Sequence, residues 1–418
     1  MRRIVITGIG VVSPLGSTVK RFWSNLTAGR SGIGPITLFD ASALPVQIGG
    51  EVADLDMERI CERFPASRGC RDRKVFLALA AATEAVSDAG LSARELRSGL
   101  LHVGVGLEAI PLEELTFCAD SVDFGQALVS SFVAHQMDRP LQTPLDCTSN
   151  LLGAAYGLLA GRYTNGSACA AGAQAIGEAW QMLREGMADL ALAGATDSML
   201  SPLGLGGFAL LRVLSKENDK PRQACRPFDA TRKGTVLGEG AAFVVLETLD
   251  YASARGAGIY AEVVGYGSSL DAYRVSDPDG SGRGAIQSMK AALKAARLEA
   301  QDIDCVSAHG TGTVKNDAVE TAAIKSLLGP HAYRIPVHAV KSMTGHMVAA
   351  SGAAEAAAAA LTIRHGVVPP TINLETRDDE CDLDYVAGSA RMFTGSTVLS
   401  NSFGFGGQNA TLILRRYA

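Results

Sequence analysis

The stretch Asn165–Trp180, NGSACAAGAQAIGEAW, carries the clearest indication of how the chain folds and what it does. Small residues surround Cys169, and an alanine-rich helical pattern follows at Ala173–Glu185. We predict a strand-to-helix turn that points the thiol at free backbone N–H groups and the positive helix end, which would lower its pKa. Flanking Gly166 and Gly172 let substrate and backbone approach closely. A small buried cysteine packed among alanines is the alternative.

Outward from this stretch, β-branched runs alternate with helical patterns. Predicted strands are Ile4–Thr7, His102–Leu107, Leu190–Ala193, Ala241–Glu247, Tyr260–Gly265, Ile303–Ala308, Val337–Val340, Val398–Asn401 and Ala410–Leu414. Predicted helices are Lys74–Ala89, Ser92–Leu96 with a Ser-x-x-Glu capping box, Ala173–Glu185, Ala285–Ala296, Ala318–Leu328 and Ser351–Arg364. This alternation indicates an α/β protein with largely parallel sheets covered by helices.

A large-scale duplication is indicated by two similar strands. VITGIG at 5–10 and EVVGYG at 262–267 each end in glycines, so we expect two halves, 1–257 and 258–418. The glycines do not form a dinucleotide site, because the third glycine of G-x-G-x-x-G is missing and no P-loop motif occurs.

Composition limits the class of protein. The chain has 418 residues, 47% hydrophobic and 19% charged, with a net charge of −5. This is typical of a globular protein and argues against nucleic-acid binding as its main task. Eight dispersed cysteines without a C-x-x-C pair argue against a zinc ribbon and a dithiol redox motif. Lacking a clean signal sequence or an apolar span, the chain is expected to be cytoplasmic, with reduced cysteines and no membrane insertion.

Two histidines and one glycine-rich turn complete the candidate chemistry. His309 lies in SAHGTGTVKND and His346 in KSMTGH, which begins with Lys341. His309 alone could simply cap a turn, and His346 alone indicates little. Together with Cys169 they suit acyl transfer through a thioester and then carbon–carbon bond formation, with neutral imidazoles donating to an enolate oxygen. The glycines around Phe405 in NSFGFGGQNATLIL could offer a backbone N–H to an oxyanion, or form a plain hairpin turn.

The ordered motifs NGSACAAG, AHGTGTVKNDAVE, KSMTGH and NSFGFGGQN resemble those of β-ketoacyl-ACP synthases of the elongating type and the related type II polyketide ketosynthases. VITGIGVVSPLG, RPFDATRKGTVLGEGAA and PPTINLE extend the resemblance over nearly the whole chain. The resemblance implies a thiolase-like fold, two pseudo-repeated βαβαβαβ halves in a five-layer α/β/α/β/α arrangement, and a dimer. It implies 3-oxoacyl-ACP synthase activity, a decarboxylative Claisen condensation with malonyl-ACP.

By motif, the resemblance also implies residue roles. Cys169 is the nucleophile, and His309 and His346 assist decarboxylation and condensation. The remaining assignments are Lys341 with its paired acid Glu355, the gating Phe405 whose N–H joins that of Cys169 in an oxyanion hole, the pantetheine-contacting Thr311 and Thr313, and the structural acids Asp317 and Glu320, for which a salt bridge is expected. No metal or bound cofactor is implied, because the phosphopantetheine arrives on the carrier protein.

The acidic acyl carrier protein requires a basic docking patch. The family's docking segment corresponds to Arg68, Arg71, Arg73 and Lys74, with Arg212 at a second position, although a solvated charged face is the alternative.

Departures from the family pattern leave the pathway open. SACAAG replaces the usual TACATG, Glu108 lies in a normally glycine-rich segment, 107–145 matches poorly, and Arg274 replaces a common histidine. The alternatives are fatty-acid elongation, a specialised polyketide or polyene pathway, and a ketosynthase active only with a chain-length-factor partner. A non-catalytic partner subunit and a CoA thiolase are disfavoured, because the chain retains Cys169 and both histidines.

Overall fold

The computed structural model describes residues 1–107 and 144–418, and the expectations for Glu108 and most of the segment 107–145 lie outside the described residues. Its α-helices are α1 Val19–Thr27, α2 Met57–Arg63, α3 Arg73–Asp88, α4 Ala93–Leu96, α5 Cys147–Tyr156, α6 Ala171–Glu185, α7 Pro202–Leu210, α8 Leu249–Ala254, α9 Arg283–Ala296, α10 Val314–Leu328, α11 Lys341–Thr344 and α12 Ala349–His365. Short 3₁₀ turns include Ala168–Ala170 and Phe405–Gly407. The predicted capping box is confirmed, since Ser92 and Glu95 bond reciprocally ahead of α4.

The strands are β1 Ile4–Val12, β2 Gly34–Pro35, β3 Ile48–Gly49, β4 Leu100–Val105, β5 Gly161–Asn165, β6 Leu190–Ser198, β7 Glu239–Thr248, β8 Ala261–Leu270, β9 Cys305–Ser307, β10 Val337–His338, β11 Val367–Val368, β12 Arg391–Met392, β13 Thr397–Gly404 and β14 Gln408–Arg415. The ten-stranded sheet has the order β10-β9-β13-β14-β8-β1-β7-β6-β4-β5.

The prediction of largely parallel sheets is wrong for the middle of this sheet. β5, β4 and β6 run parallel, as do β10, β9 and β13. By contrast, β7 is antiparallel to both β6 and β1, and β14 is antiparallel to both β13 and β8. β7 follows β6, and β14 follows β13, without a helix that crosses over the sheet. β7 inserts beside β1, and β14 inserts beside β8. Alternation of strand and helix patterns does not reveal this return.

The two sets of strands repeat one topology. The order β5-β4-β6-β7-β1 corresponds to β10-β9-β13-β14-β8, with the same parallel and antiparallel pairings. β1 and β8 then pair with each other, which joins the two sets. The sequence similarity of VITGIG and EVVGYG therefore marks equivalent strands.

The glycines of these two strands serve helix packing. A Cβ on Gly10 would lie 1.9 Å from the carbonyl oxygen of Ala81 in α3, and one on Gly267 would lie 2.2 Å from that of Ser288 in α9. Only a residue without a side chain lets the covering helix approach the sheet this closely.

Helices cover both faces of the sheet, and α6 and α12 pack against each other between the two sets of strands. α12 contacts β6 and β7 of the first set and also β13 and β14 of the second. The largest apolar cluster surrounds these two helices, with Ile176, Trp180 and the alanines of α12 fully or nearly fully buried. At the helix crossing, a Cβ on Gly172 would lie 2.6 Å from Ala349 O, and one on Gly352 would lie 2.8 Å from Ala173 N. The start of each helix is thereby brought to the start of the other.

Candidate active site

Cys169 lies in the 3₁₀ turn that joins β5 to α6, as the sequence predicted. The side chain is buried, and the preceding residue, Ala168, has a left-handed backbone with φ of 50°. A non-glycine residue in that region indicates local strain, which is common at active sites. The backbone N–H groups of Cys169 and Phe405 both point at the sulfur. Two backbone donors therefore converge on the Cys169 sulfur.

The expected lowering of the Cys169 pKa is wrong for this enclosed site. Burial raises the pKa of the Cys169 thiol to about 11, whereas the charge of Lys341 and the N–H of Phe405 act in the opposite direction. Loss of water disfavours the thiolate more than the nearby donors favour it. Formation of the Cys169 thiolate at neutral pH consequently requires stabilisation by a neighbouring group.

That neighbour is His346, whose Nε2 lies 3.1 Å from Cys169 Sγ. Its Nδ1 lies 3.2 Å from the backbone nitrogen of Val348 and 3.1 Å from Ser351 Oγ. A backbone N–H can only donate, so Nδ1 accepts and the proton of the neutral ring sits on Nε2. Val348 itself has φ of 45°, a strained conformation that directs its N–H toward the ring.

His309 faces the same site, with its ring centroid 5.4 Å from that of His346 and the rings nearly perpendicular. Lys341 Nζ lies 3.2 Å from His309 Nδ1 and 2.7 Å from the His309 carbonyl oxygen. An ammonium can only donate, so His309 also keeps its proton on Nε2. Burial and the charge of Lys341 hold the pKa of both imidazoles well below the usual range. The site thus presents two neutral N–H donors.

Lys341 and Glu355 form a buried pair behind His309. Their side chains are each 1% exposed, and Nζ lies 2.5 Å from Glu355 Oε1. Burial raises the pKa of Glu355 to about 7, while Lys341 counteracts this rise. The pair therefore fixes the ammonium that orients His309.

Asp317 and Glu320 brace the loop that carries His309. Both oxygens of Glu320 accept backbone N–H groups, from His309 and Gly310, each at 2.8 Å. Asp317 accepts the N–H of Phe228 at 2.8 Å and lies 3.7 Å from Arg232. The expected salt bridge fits Asp317 in part, whereas Glu320 accepts hydrogen bonds from these two backbone N–H groups and from the Asn401 side-chain amide at 3.3 Å. The sequence pattern did not show this, because a carboxylate that binds backbone N–H looks like any other acid.

A cavity of about 580 Å³ leads from the surface to Cys169. Its inner end is lined by Cys169, His309, His346 and Phe405. The walls include Thr311 and Thr313, whose hydroxyl oxygens lie 2.9 Å apart, and the mouth includes Arg212, Lys233 and Lys315. Lys233 pairs with Glu217, and Lys315 pairs with Asp277 at 2.8 Å, so Arg212 is the cation of the mouth that forms no ion pair with a described residue. A long, flexible chain suits this shape, and an anionic group on it would meet Arg212.

Two family models match the chain: the β-ketoacyl synthase N-terminal domain over 1–252 and the β-ketoacyl synthase C-terminal domain over 260–375. The chain belongs to the β-ketoacyl synthase family.

Similar proteins agree with this assignment. The chain is 42% identical over 420 residues to a 3-oxoacyl-[acyl-carrier-protein] synthase 2 of Synechocystis sp., covering 100% of this chain and 98% of the relative. A type II polyketide ketosynthase solved with its acyl-carrier protein has a TM-score of 0.84 at 31% identity, and the ishigamide ketosynthase/chain length factor has 0.85 at 35%. Both comparisons cover 100% of each chain. The expected thiolase-like fold is confirmed, and the chain is an acyltransferase of this family.

In this β-ketoacyl synthase, the expected docking residues do not share one surface. Lys74 is buried, lies 3.2 Å from Asp72 and bonds to the carbonyl of Leu107, so its assignment to docking is wrong. Arg73 lies 2.7 Å from the buried Glu239 and holds the Val52 carbonyl, so its cation is also used within the fold. These two residues are the first two of α3, where the sequence alone does not show which positively charged side chains point into the fold.

The other three docking arginines are exposed. Arg68 and Arg71 lie on one groove beside α2, while Arg212 lies at the mouth of the catalytic cavity. Arg274, which replaces a common histidine, is exposed and lies 3.5 Å from Asp277. Of the five, Arg212 is the one that lines the path to Cys169.

Several site residues were not predicted from the sequence. Phe208, in the unpredicted helix α7, packs on the Phe405 ring with centroids 5.9 Å apart. Asp197, fully buried at the end of β6, accepts the N–H of Ala349 at 3.1 Å, and burial raises its pKa to about 6. The three glycines of α7 concealed its helical pattern. For Asp197, the one sequence signal is an acidic residue at the end of the otherwise uncharged strand β6.

Within the described parts of the chain, no group of three His, Cys, Asp or Glu side chains is arranged to hold a metal ion. Nor does any helix there combine the length and apolarity needed to cross a bilayer.

Proposed function

We propose that this chain is a 3-oxoacyl-ACP synthase that condenses an acyl group held on Cys169 with malonyl-ACP, in fatty-acid elongation or a type II polyketide pathway. The observation that carries the proposal is the convergence of Cys169 Sγ, the Nε2–H of His346 at 3.1 Å, and His309 at the inner end of one cavity.

In the first half-reaction, the sulfur of Cys169 attacks the thioester carbonyl of an acyl carrier. The carbonyl oxygen becomes an oxyanion, to which the N–H groups of Cys169 and Phe405 donate. Collapse of this intermediate breaks the bond to the carrier's sulfur, which leaves as a thiol after taking up the proton lost by Cys169. An acyl-enzyme thioester remains.

In the second half-reaction, the malonyl group loses CO₂, and the electrons of the broken carbon–carbon bond form an enolate. Its oxygen accepts hydrogen bonds from the Nε2–H groups of His309 and His346, both held in the donating tautomer. The enolate carbon then attacks the acyl-Cys169 carbonyl. Expulsion of the Cys169 thiolate gives 3-oxoacyl-ACP, and the thiolate takes up a proton from water to restore the starting thiol.

Carrier recognition is assigned to the cavity and its mouth. The phosphopantetheine arm would pass Thr311 and Thr313, and Arg212, which has no carboxylate partner among the described residues, would meet an acidic carrier. Arg68 and Arg71 would extend this docking surface. A structural neighbour solved in complex with its acyl-carrier protein supports such a partner.

We also assign two ketoacyl-synthase halves, 1–257 and 258–418, and a cytoplasmic location. The repeated strand topology and the two matched family regions support the boundary. The seven described cysteines, all free, fit a reducing compartment.

The chain would act as a dimer, either with itself or with a chain-length-factor subunit. The likeness to the ishigamide ketosynthase/chain length factor favours keeping the second arrangement as an alternative. The two arrangements differ in whether the chain works alone.

The test uses the purified chain with acyl-ACP and malonyl-ACP, read by intact mass of the carrier and the enzyme. A carrier-bound 3-oxoacyl product means an autonomous homodimeric synthase, and acylated Cys169 without product means a required partner. Cys169→Ala should abolish the acyl-enzyme, while Cys305→Ala, a matched change at a buried cysteine in β9, should retain it. Acylation that survives Cys169→Ala would contradict the proposal.

A further inference from the structure

A second pocket lies away from the catalytic cavity, at the last turn of α6. It encloses about 340 Å³. Its apolar side is formed by Trp180, Val264 and Ala296, and its rim carries Arg2, Arg3, Arg184, Arg297 and Arg415. We call it the arginine pocket. A concave apolar floor with a ring of guanidinium groups is typical of a site for an anion.

Two of the five arginines form no ion pair with the part of the chain that the structure describes. Arg2 pairs with Asp189 at 2.8 Å, and Arg3 and Arg415 share Glu262 at 2.8 and 3.7 Å. Arg184 and Arg297 have no ion pair with any described residue.

Both of these cations line the arginine pocket. Arg184 lies over the Trp180 ring at 4.2 Å, which holds its guanidinium against the apolar side of the pocket. Burial, and then the positive charge of Arg297, lower the pKa of Arg184. Mutual repulsion of two guanidinium groups is relieved when an anion binds between them.

We propose that the arginine pocket binds a phosphate-bearing anion, through Arg184 and Arg297. Guanidinium groups bind phosphate oxygens in pairs of parallel hydrogen bonds, and arginine is suited to such recognition. The shared chemistry is the phosphate dianion, which could come from free phosphate or from a nucleotide. The catalytic reaction does not use this pocket, because Cys169 stands at the other end of α6, about 20 Å away at the rise of an α-helix.

The test measures binding to the full-length chain by isothermal titration calorimetry in phosphate-free buffer, with inorganic phosphate, AMP and ADP as probes. Trp180 reports the location, because the chain has two tryptophans and a Trp23→Phe variant leaves Trp180 alone. Saturable heat should accompany a change in Trp180 emission. The double variant Arg184→Gln/Arg297→Gln should raise Kd at least about tenfold, as expected for lost charge-assisted bonds.

Two controls keep the outcome decisive. Arg94→Gln, at an exposed arginine of α4, should leave Kd unchanged, and melting temperatures should show that every variant is folded. Equal binding of all three probes means a phosphate site, and stronger binding of AMP and ADP means a nucleotide site. Absence of saturable heat overturns the proposal. So does heat that persists in the double variant, because it would then come from the cationic mouth of the catalytic cavity.

Discussion

Replacing Lys341 by methionine should separate the stability of the site from its chemistry. The ammonium lies 2.5 Å from Glu355 Oε1, 2.7 Å from the His309 carbonyl oxygen and 3.2 Å from His309 Nδ1. Lys341→Met leaves a buried carboxylate and a buried carbonyl without this cation. Loss of one partner from a buried ion pair costs about 3–5 kcal/mol, so the free energy of unfolding should fall by that amount.

The double variant Lys341→Met/Glu355→Leu removes both charges at similar volume. Replacement of a buried pair by apolar groups is close to neutral, so most of the lost stability should return. His309 nevertheless lacks its Nδ1 donor in both variants and can move its proton away from Nε2. Decarboxylation of malonyl-ACP should therefore remain about 100-fold slower, the effect expected for a lost oxyanion donor.

Urea denaturation measures stability, and mass spectrometry of the carrier measures conversion of malonyl-ACP to acetyl-ACP. Recovery of decarboxylation together with stability in the double variant would refute the tautomer argument, since Lys341 would then act only through folding. An unchanged free energy of unfolding in Lys341→Met would refute the energetic role of the buried pair.

Three further predictions concern buried positions outside this pair. Gly172→Ala should destabilise the protein, because the new Cβ would lie 2.6 Å from Ala349 O. Gly206→Ala on α7, where a Cβ would have no atom within 4 Å, should raise the free energy of unfolding in urea by up to about 1 kcal/mol. Asp197→Ala should lower kcat for condensation with little change in KM and shift the pH profile of Cys169 alkylation, because the Ala349 N–H next to the strained Val348 loses its acceptor. The control Thr362→Val, at the far end of α12, should leave that profile unchanged. Burial lowers the pKa of His338 to about 4, below its ordinary 6.5. Between these values the unfolded chain binds a proton that the folded chain does not, so the free energy of unfolding falls as pH drops from 6.5 to 4. His338→Gln should flatten this part of the curve of stability against pH.

Local chemistry explains what the sequence predicted well. The strands around VITGIG and EVVGYG, the capping box at Ser92 and the turn at Cys169 depend on short-range patterns. The ordered motifs then brought Cys169, His309, His346 and Lys341 into one expected site, and the structure places them together.

The missed features depend on contacts distant in sequence. The antiparallel return of β7 and β14 and the inward direction of Arg73 and Lys74 are set by tertiary packing. The raised pKa of the Cys169 thiol has the same origin, because the sequence shows the helix start but not the burial that outweighs it.

Equivalent positions of the repeated topology supply Cys169 and its nearest imidazole, that of His346. Cys169 precedes α6, which follows β5, and His346 precedes α12, which follows β10, the strand equivalent to β5. Because the two helices meet at Gly172 and Gly352, their positive ends converge on one point, and Sγ and Nε2 lie 3.1 Å apart. One half of the chain would present a single helix end and a single reactive side chain. A negative charge at this point would therefore be stabilised by helix ends from both sets of strands.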